Sequence, residues 1–204
     1  MNNAMKKGFT LIETLTVIGI ISFVIVGLVY FMMYSLQSYS FSFAQFDATG
    51  RAKTAMTRLI RDVREARTGE NGGWPIIEAT DNSITFYSDI TNDGKADRVR
   101  YFLDGTDFKR GVVEPSGSPV SYPPASEKIS FIASGVNNGT SPVFTFYNGN
   151  WPADQINNPL PPANRIIGTR YIKVYLKIKS SASSQTGAFD LTTGVNIRSL
   201  KDNL

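Results

Sequence analysis

The sequence predicts an α+β fold in which a long, partly transmembrane amino-terminal helix packs on antiparallel β-sheet, and three observations carry that expectation. No charged residue occurs between Thr14 and Phe46. Beyond that run, Ala52, Met56, Leu59, Ile60, Val63 and Ala66 recur at helical spacing. Near the carboxyl end, Ile172, Val174, Leu176 and Ile178 alternate with Lys173, Tyr175, Lys177 and Lys179, the period of a strand with one buried face. The 204 residues fit one modest domain plus a membrane segment.

Leu15 to Tyr34 consists mostly of Leu, Ile, Val, Phe and Met. About 20 such residues at about 1.5 Å rise cover the roughly 30 Å hydrocarbon core of a bilayer. A helix is the spanning form open to a single segment, because lipid offers no partners to open backbone groups. Gly19 and Gly27 either permit close helix approach or are neutral there. The run is too long for the apolar region of a cleaved secretory signal, and no small-residue cleavage site closes it. An ordinary signal anchor fits the hydropathy equally well. Lys6 and Lys7 favour a cytoplasmic amino terminus, and Tyr30, Phe31 and Tyr34 suit the outer interface. Glu13, at the start of the apolar run, needs either headgroup solvation or a partner, since a charge at the helix centre costs about 3 kcal/mol.

With no proline before Pro75, one helix is expected from about Thr10 to about Arg67, loosened near Ser35–Ser42 or Gly50. Arg58, Arg61, Asp62, Arg64 and Glu65 fall largely off its apolar stripe. After Gly69 the pattern changes to short alternating segments parted by Gly, Pro, Asn and Asp. Strands are expected at Ile84–Ser88, Arg98–Leu103, Gly111–Glu114, Ile129–Ala133, Val143–Tyr147, Arg170–Lys179 and Phe189–Leu200, with a surface loop at Trp151–Arg165. The domain plan is thus a short cationic amino-terminal segment at residues 1–8, which the resemblance described below implies is a cleaved leader, a helix at 9–68 whose membrane half covers about 9–34, and a β-rich domain at 69–204.

Composition excludes several chemistries. The chain has no Cys and no His, which removes disulfides, Ser-His-Asp triads, Cys-His pairs and histidine metal sites. No paired-carboxylate constellation, phosphate loop or nucleophile motif stands out, so the expected protein is non-enzymatic.

Three weaker signals remain. Asp89, Thr91, Asp93 and Asp97 place oxygens at positions one, three, five and nine of a loop with Gly94 at six. That resembles the front of a calcium-binding loop, but Arg100 stands where a bidentate Glu belongs. A polar hairpin around Asp93-Gly94 is the favoured alternative. Asn138-Gly139-Thr140 fits a glycosylation sequon. Arg51, Lys53, Arg58, Arg61, Arg64 and Arg67 form a basic stretch. At about 1.5 Å per residue Arg51 lies roughly 57 Å along a helix from Glu13, too far for the same headgroups. A solvated face or an inter-subunit contact is favoured there, with DNA a minor alternative.

The segment Lys7-Gly8-Phe9-Thr10-Leu11-Ile12-Glu13-Thr14-Leu15, continuing through Ile21, resembles the amino-terminal signature of type IV prepilins and type II secretion pseudopilins. The resemblance implies cytoplasmic cleavage between Gly8 and Phe9 by a membrane prepilin peptidase, and N-methylation of Phe9 by the same enzyme. It implies that Glu13 pairs with the free amino terminus of a neighbouring subunit during assembly on an inner-membrane platform. The chain would sit in the cytoplasmic membrane with its carboxyl-terminal domain outside, and then in a pilus or pseudopilus. Loss of Lys6 and Lys7 would lower the formal charge from +4 to +2, so net charge gives no argument for nucleic acid. Arg98-Val99-Arg100-Tyr101-Phe102-Leu103-Asp104-Gly105, after Asp93-Gly94, is similar to J-type minor pseudopilins and W-type minor pilins. A DNA-uptake minor pilin and an uncleaved membrane-anchored sensor are the rival readings.

Overall fold

The computed structural model describes residues 8–179 and 188–200, with backbone only for 40–45, 47–49 and 51. The chain divides into two compact units, Met1–Ala44 and Gln45–Leu204.

Helix α1 runs from Leu11 to Arg64, 54 residues. Its first part, Leu11–Tyr39, is long and apolar enough to cross a membrane, and none of its residues is buried by the rest of the chain. The hydroxyls of Thr14 and Thr16 donate to the carbonyls of Leu11 and Glu13, each at 2.9 Å. These back-bonds leave neither hydroxyl proton unpaired at membrane depth, where water cannot serve it.

Within the second unit, α1 turns Ala52, Met56, Leu59 and Val63 into the core, with Ile60 partly buried beside them and Ala66 buried just past the helix end. The helix stops three residues before the expected Arg67, for a local reason. Its last turn tightens, with Ala66 N–H donating to Val63, and Arg67 N–H leaves to bond Tyr87 in the sheet. The Ser199 hydroxyl caps the carbonyl of Ala66 at 2.6 Å.

Eight strands follow. β1 (Ile76–Ala79), β2 (Ser83–Ser88), β3 (Asp97–Asp104), β4 (Asp107–Val113) and β5 (Lys128–Ala133) form an antiparallel meander in chain order. β6 (Phe144–Tyr147), β7 (Tyr171–Lys179) and β8 (Ala188–Asn196) form a second antiparallel sheet. All seven expected strand regions contain a strand, and β1 was not anticipated. It is four residues long, and its exposure alternates poorly, so it carries no periodic signal. β4 begins earlier than expected because the turn at Gly105, with φ +62°, pairs Asp104 with Asp107. β8 ends at Asn196, and the following turn at Arg198–Leu200 places Ile197 and Leu200 in the core. The region 151–165 is loop for most of its length, ending in a short turn at Pro162–Asn164 and the helix α2 (Arg165–Gly168).

One core serves both sheets. The inward residues of β2, β3 and β4 and of β6 and β7 join the helical stripe in a single cluster. The rings of Phe86, Tyr101, Phe108, Phe144 and Phe146 run through it in sequence, neighbouring centroids lying 5.9–6.4 Å apart. At its polar centre Asp62 is 2% exposed, which corrects the expectation that it lies on the solvated side. Its Oδ2 accepts from the Tyr101 hydroxyl at 2.8 Å and from Arg110 Nη1 at 3.4 Å. Burial pushes the Tyr101 hydroxyl well above its ordinary pKa, and the carboxylate adds to the shift, so the phenol stays a donor.

Asp62→Ala should cost about 1–3 kcal/mol by leaving the buried Tyr101 hydroxyl without its acceptor and the partly buried Arg110 without its anion. Tyr101→Phe should cost about 1–3 kcal/mol through the lost donor. Urea unfolding of the detergent-solubilised chain, followed by near-ultraviolet circular dichroism, measures both.

Candidate functional site

The amino-terminal segment carries the processing and assembly residues named from the sequence. Gly8, Phe9 and Thr10 precede the helix and are exposed, Phe9 at 79%. Among the described residues, its chain neighbour apart, no atom lies within 4 Å of the position a Cβ on Gly8 would take. Lys6 and Lys7 lie outside the described residues.

Thr10 caps α1. Its Oγ1 accepts from the Glu13 N–H at 3.4 Å, while its carbonyl accepts from Glu13 at 3.1 Å and Thr14 at 3.2 Å. Thr10-x-x-Glu13 has the spacing of a capping box, a start signal that apolar periodicity alone overlooks. Glu13 thus stands in the first helical turn, where the helix dipole favours an anion. It is exposed, and among the described residues it makes no ion pair. A carboxylate exposed in the first turn of a capped helix can accept an external cation.

The remaining candidates lie in the second unit. Ser88 pairs with Asp97, so the Asp89–Ala96 loop closes an antiparallel hairpin, as favoured. Positive φ falls at Asn92 (58°) and Gly94 (87°), not at Asp93. Each acid bonds the loop's own atoms. Asp89 Oδ2 accepts from Gly94 N–H at 3.0 Å, and Asp93 Oδ1 from Lys95 N–H at 2.9 Å. Asp97 Oδ2 accepts from the N–H groups of Ile90 and Thr91, each at 3.2 Å, and from the Thr91 hydroxyl at 3.0 Å. Asp89 Oδ1, Asp97 Oδ1 and Ser88 Oγ are buried without a hydrogen-bond partner. Among the described residues no three Asp, Glu, His or Cys side chains converge as a metal-binding group.

The basic stretch divides. Arg67 turns into this loop, donating to the Gly94 carbonyl at 2.6 Å and lying 3.7 Å from Glu70 and 3.9 Å from Asp89. Lys53, Arg58, Arg61 and Arg64 are exposed on α1, and the Arg51 side chain lies outside the described residues. Asn138 of the sequon is 9% exposed and fully engaged. It donates to the Tyr175 carbonyl at 2.9 Å and accepts from Lys177 N–H at 2.8 Å, completing the edge of β7 beyond the reach of β6. Its amide is structural.

Residues 3–29 match the family model described as the prokaryotic N-terminal methylation motif. The match supports a type IV prepilin-like family and, with it, a pilin- or pseudopilin-like subunit. That motif implies processing by a peptidase and assembly with other pilins, and together with the apolar helix it suggests membrane anchoring. The proteins that share it are structural. No curated protein matches the chain.

Burial raises the pKa of Asp97 above the usual carboxylate range. Folded chains then hold this proton to higher pH than unfolded ones, whose value is about 3.9. The Asp97 contribution to stability is therefore full below the unfolded value and lost as pH rises through the folded one. Asp97→Asn should remove that component, so the wild type should lose stability relative to the variant between acid and neutral pH. Thermal melts of both proteins across that window measure the difference.

Proposed function

We propose that this chain is a non-enzymatic minor pilin or pseudopilin, cleaved between Gly8 and Phe9, N-methylated at Phe9 and assembled through its amino-terminal helix. The observation that carries the reading is the Gly8-Phe9…Glu13 signature standing directly on a membrane-length apolar helix. Cleavage would remove Lys6 and Lys7 and create an amine on Phe9, one residue before the Thr10 cap of α1. Glu13 of one subunit would then meet the amine of the next at a lipid boundary, where opposite charges attract more strongly than in water. Peptidase, assembly platform and neighbouring subunits are the partners this requires. The membrane orientation is cytoplasmic at the amino terminus, following the two leader lysines.

A minor subunit is favoured over a major one by the large β-rich domain, the lack of cysteine and the similarity of the Asp93–Gly105 region to J-type pseudopilins and W-type pilins. Assembly into a secretion pseudopilus or a type IV pilus is the first reading. DNA uptake shares all the processing and would differ by salt-sensitive DNA binding. An uncleaved sensor would keep residues 1–8.

For the Asp89–Asp97 loop, hairpin closure is the first reading. Calcium is the second, carried by the three unpartnered oxygens. A calcium-dependent rise in Tm that Asp97→Asn abolishes would reverse that order.

A bulky substitution at Gly8 should block processing, leaving an intact leader detectable by amino-terminal mass spectrometry. A wild-type chain that keeps its leader in cells containing the peptidase would overturn the proposal. Glu13→Ala should still be cleaved yet enter sheared filaments poorly; normal incorporation would reject the pairing role.

A further inference from the structure

We propose that the open edge of β5 takes up an extended strand of a different, neighbouring subunit, which lays apolar side chains against Ile129 and Phe131; the inference rests on the assembly reading above. A strand at the border of a sheet turns a row of backbone N–H and C=O groups away from its one partner. Only another extended backbone matches that row group for group. The two sheets have four such borders, β1, β5, β6 and β8. Two are closed by the chain itself. Helix α2 packs against β1, whose register also shifts between Ile76 and Glu78. Along β6 the Leu160 N–H donates to the Phe146 carbonyl at 2.8 Å, and the Phe144 N–H to the Asp81 carbonyl at 3.0 Å.

β5 and β8 are left, and they differ in what they show to solvent. Among the described residues, neither backbone bonds anything beyond its own neighbouring strand. The exposed residues of β8 are Ala188, Asp190, Thr192 and Asn196, small or polar side chains that water serves. Those of β5 are Lys128, Ile129 and Phe131, the two apolar ones each 56% exposed. Edges that stay single are blunted by a charge, a proline or a bulge. Ile129–Phe131 has neither charge nor proline, and the register shift against β4 falls beyond Phe131. The four residues Lys128–Phe131 thus offer roughly 13 Å of regular, unpaired edge.

The sheet face beside this edge suits apolar contact. Phe131 stands in a cross-strand row with Lys109 and Phe102, and Ile129 in a row with Gly111 and Arg100. Both cations in those rows are already committed. Lys109 lies 2.7 Å from Asp104. Arg100 grips Glu127 through two bonds of 2.9 and 2.7 Å, while its guanidinium lies 4.0 Å over the Phe102 ring. Gly111 permits that grip, because a side chain there would run into the Glu127 carboxylate. The pair ties the residue before β5 to β3 across β4, so the edge is held before a partner arrives and little freedom is lost on pairing. An extended segment with β-branched or aromatic residues two apart fits both the backbone row and the two apolar side chains. The other open edge of this chain does not supply it, since β8 carries Asp190, Thr192 and Asn196 at its exposed positions. A different subunit does.

The test uses the full-length chain in cells that assemble it. A benzophenone side chain replaces Phe131, and the crosslinked peptide is identified by mass spectrometry. It should come from a different subunit and carry apolar residues at alternate positions. Amide hydrogen exchange is compared between the detergent-solubilised wild type and sheared filaments, where residues 128–131 should exchange about tenfold more slowly. Ile129→Lys with Phe131→Lys should lower incorporation into filaments by about tenfold, whereas Thr192→Lys on the polar edge should leave it unchanged. Both apolar positions are exposed, so the double variant should keep the wild-type near-ultraviolet circular dichroism, and the exchange measurement needs no variant. Unaltered exchange in filaments, normal incorporation of the folded double variant, an equal loss from Thr192→Lys, or an adduct joining two copies of this chain or lipid would each overturn the inference. Amino-terminal mass spectrometry on the same samples separates the two ideas. A wild-type chain that keeps its leader defeats the assembly reading and this inference with it, whereas a cleaved, incorporated chain whose β5 amides exchange freely defeats the edge alone.

Discussion

Both sheets depend on one apolar strip of helix. β2, β3 and β4 present one set of inward side chains, β6 and β7 another, and the two meet around Met56, Leu59 and Val63. Without that strip each sheet would expose a face of Phe, Ile, Leu and Val to water, a loss of about 25 cal/mol for every Å². With no cysteine in the chain, burial has to do what disulfides do in many exported domains. The helix is therefore as much the centre of the folded domain as it is a segment long and apolar enough to cross a membrane.

Asp62 adds directionality to that contact. Apolar packing alone tolerates rotation of a helix about its axis and small slips along it. A buried carboxylate that meets a phenol on β3 and a guanidinium on β4 does not, because any slip leaves buried groups unpaired. The same arrangement explains the sign of the outer helix face. The acid that would have neutralised neighbouring arginines is spent inside, so a packing requirement in the core produces a charged exterior.

The parts of the fold written in periodicity were legible. Ala52, Met56, Leu59, Val63 and Ala66 repeat every helical turn, and Ile172, Val174, Leu176 and Ile178 repeat every second residue; all nine are buried. The amino-terminal signature was legible because its residues are contiguous and their chemistry is specific. Asp62 was not, since an acid among arginines on a helix has the appearance of a solvated pair, and its partners lie 39 and 48 residues away. β1 escaped because four residues hold too short a pattern. For the Asp89–Asp97 acids, spacing records which residues share a loop and not where each oxygen points; the structure adds that Asp89 and Asp93 accept from backbone N–H groups of their own hairpin.

Asn138 brings chemical ageing into the picture. Asn followed by Gly is the dipeptide most prone to lose its amide nitrogen, and here Gly139 sits at φ +61°. Conversion to Asp would leave an acceptor against the Tyr175 carbonyl, where the structure needs a donor. Burial and two hydrogen bonds slow that reaction by holding the side-chain carbonyl away from attack by the Gly139 backbone nitrogen. The edge of β7 therefore guards the amide that completes it, and the lifetime of the folded domain is tied to how rarely that corner opens.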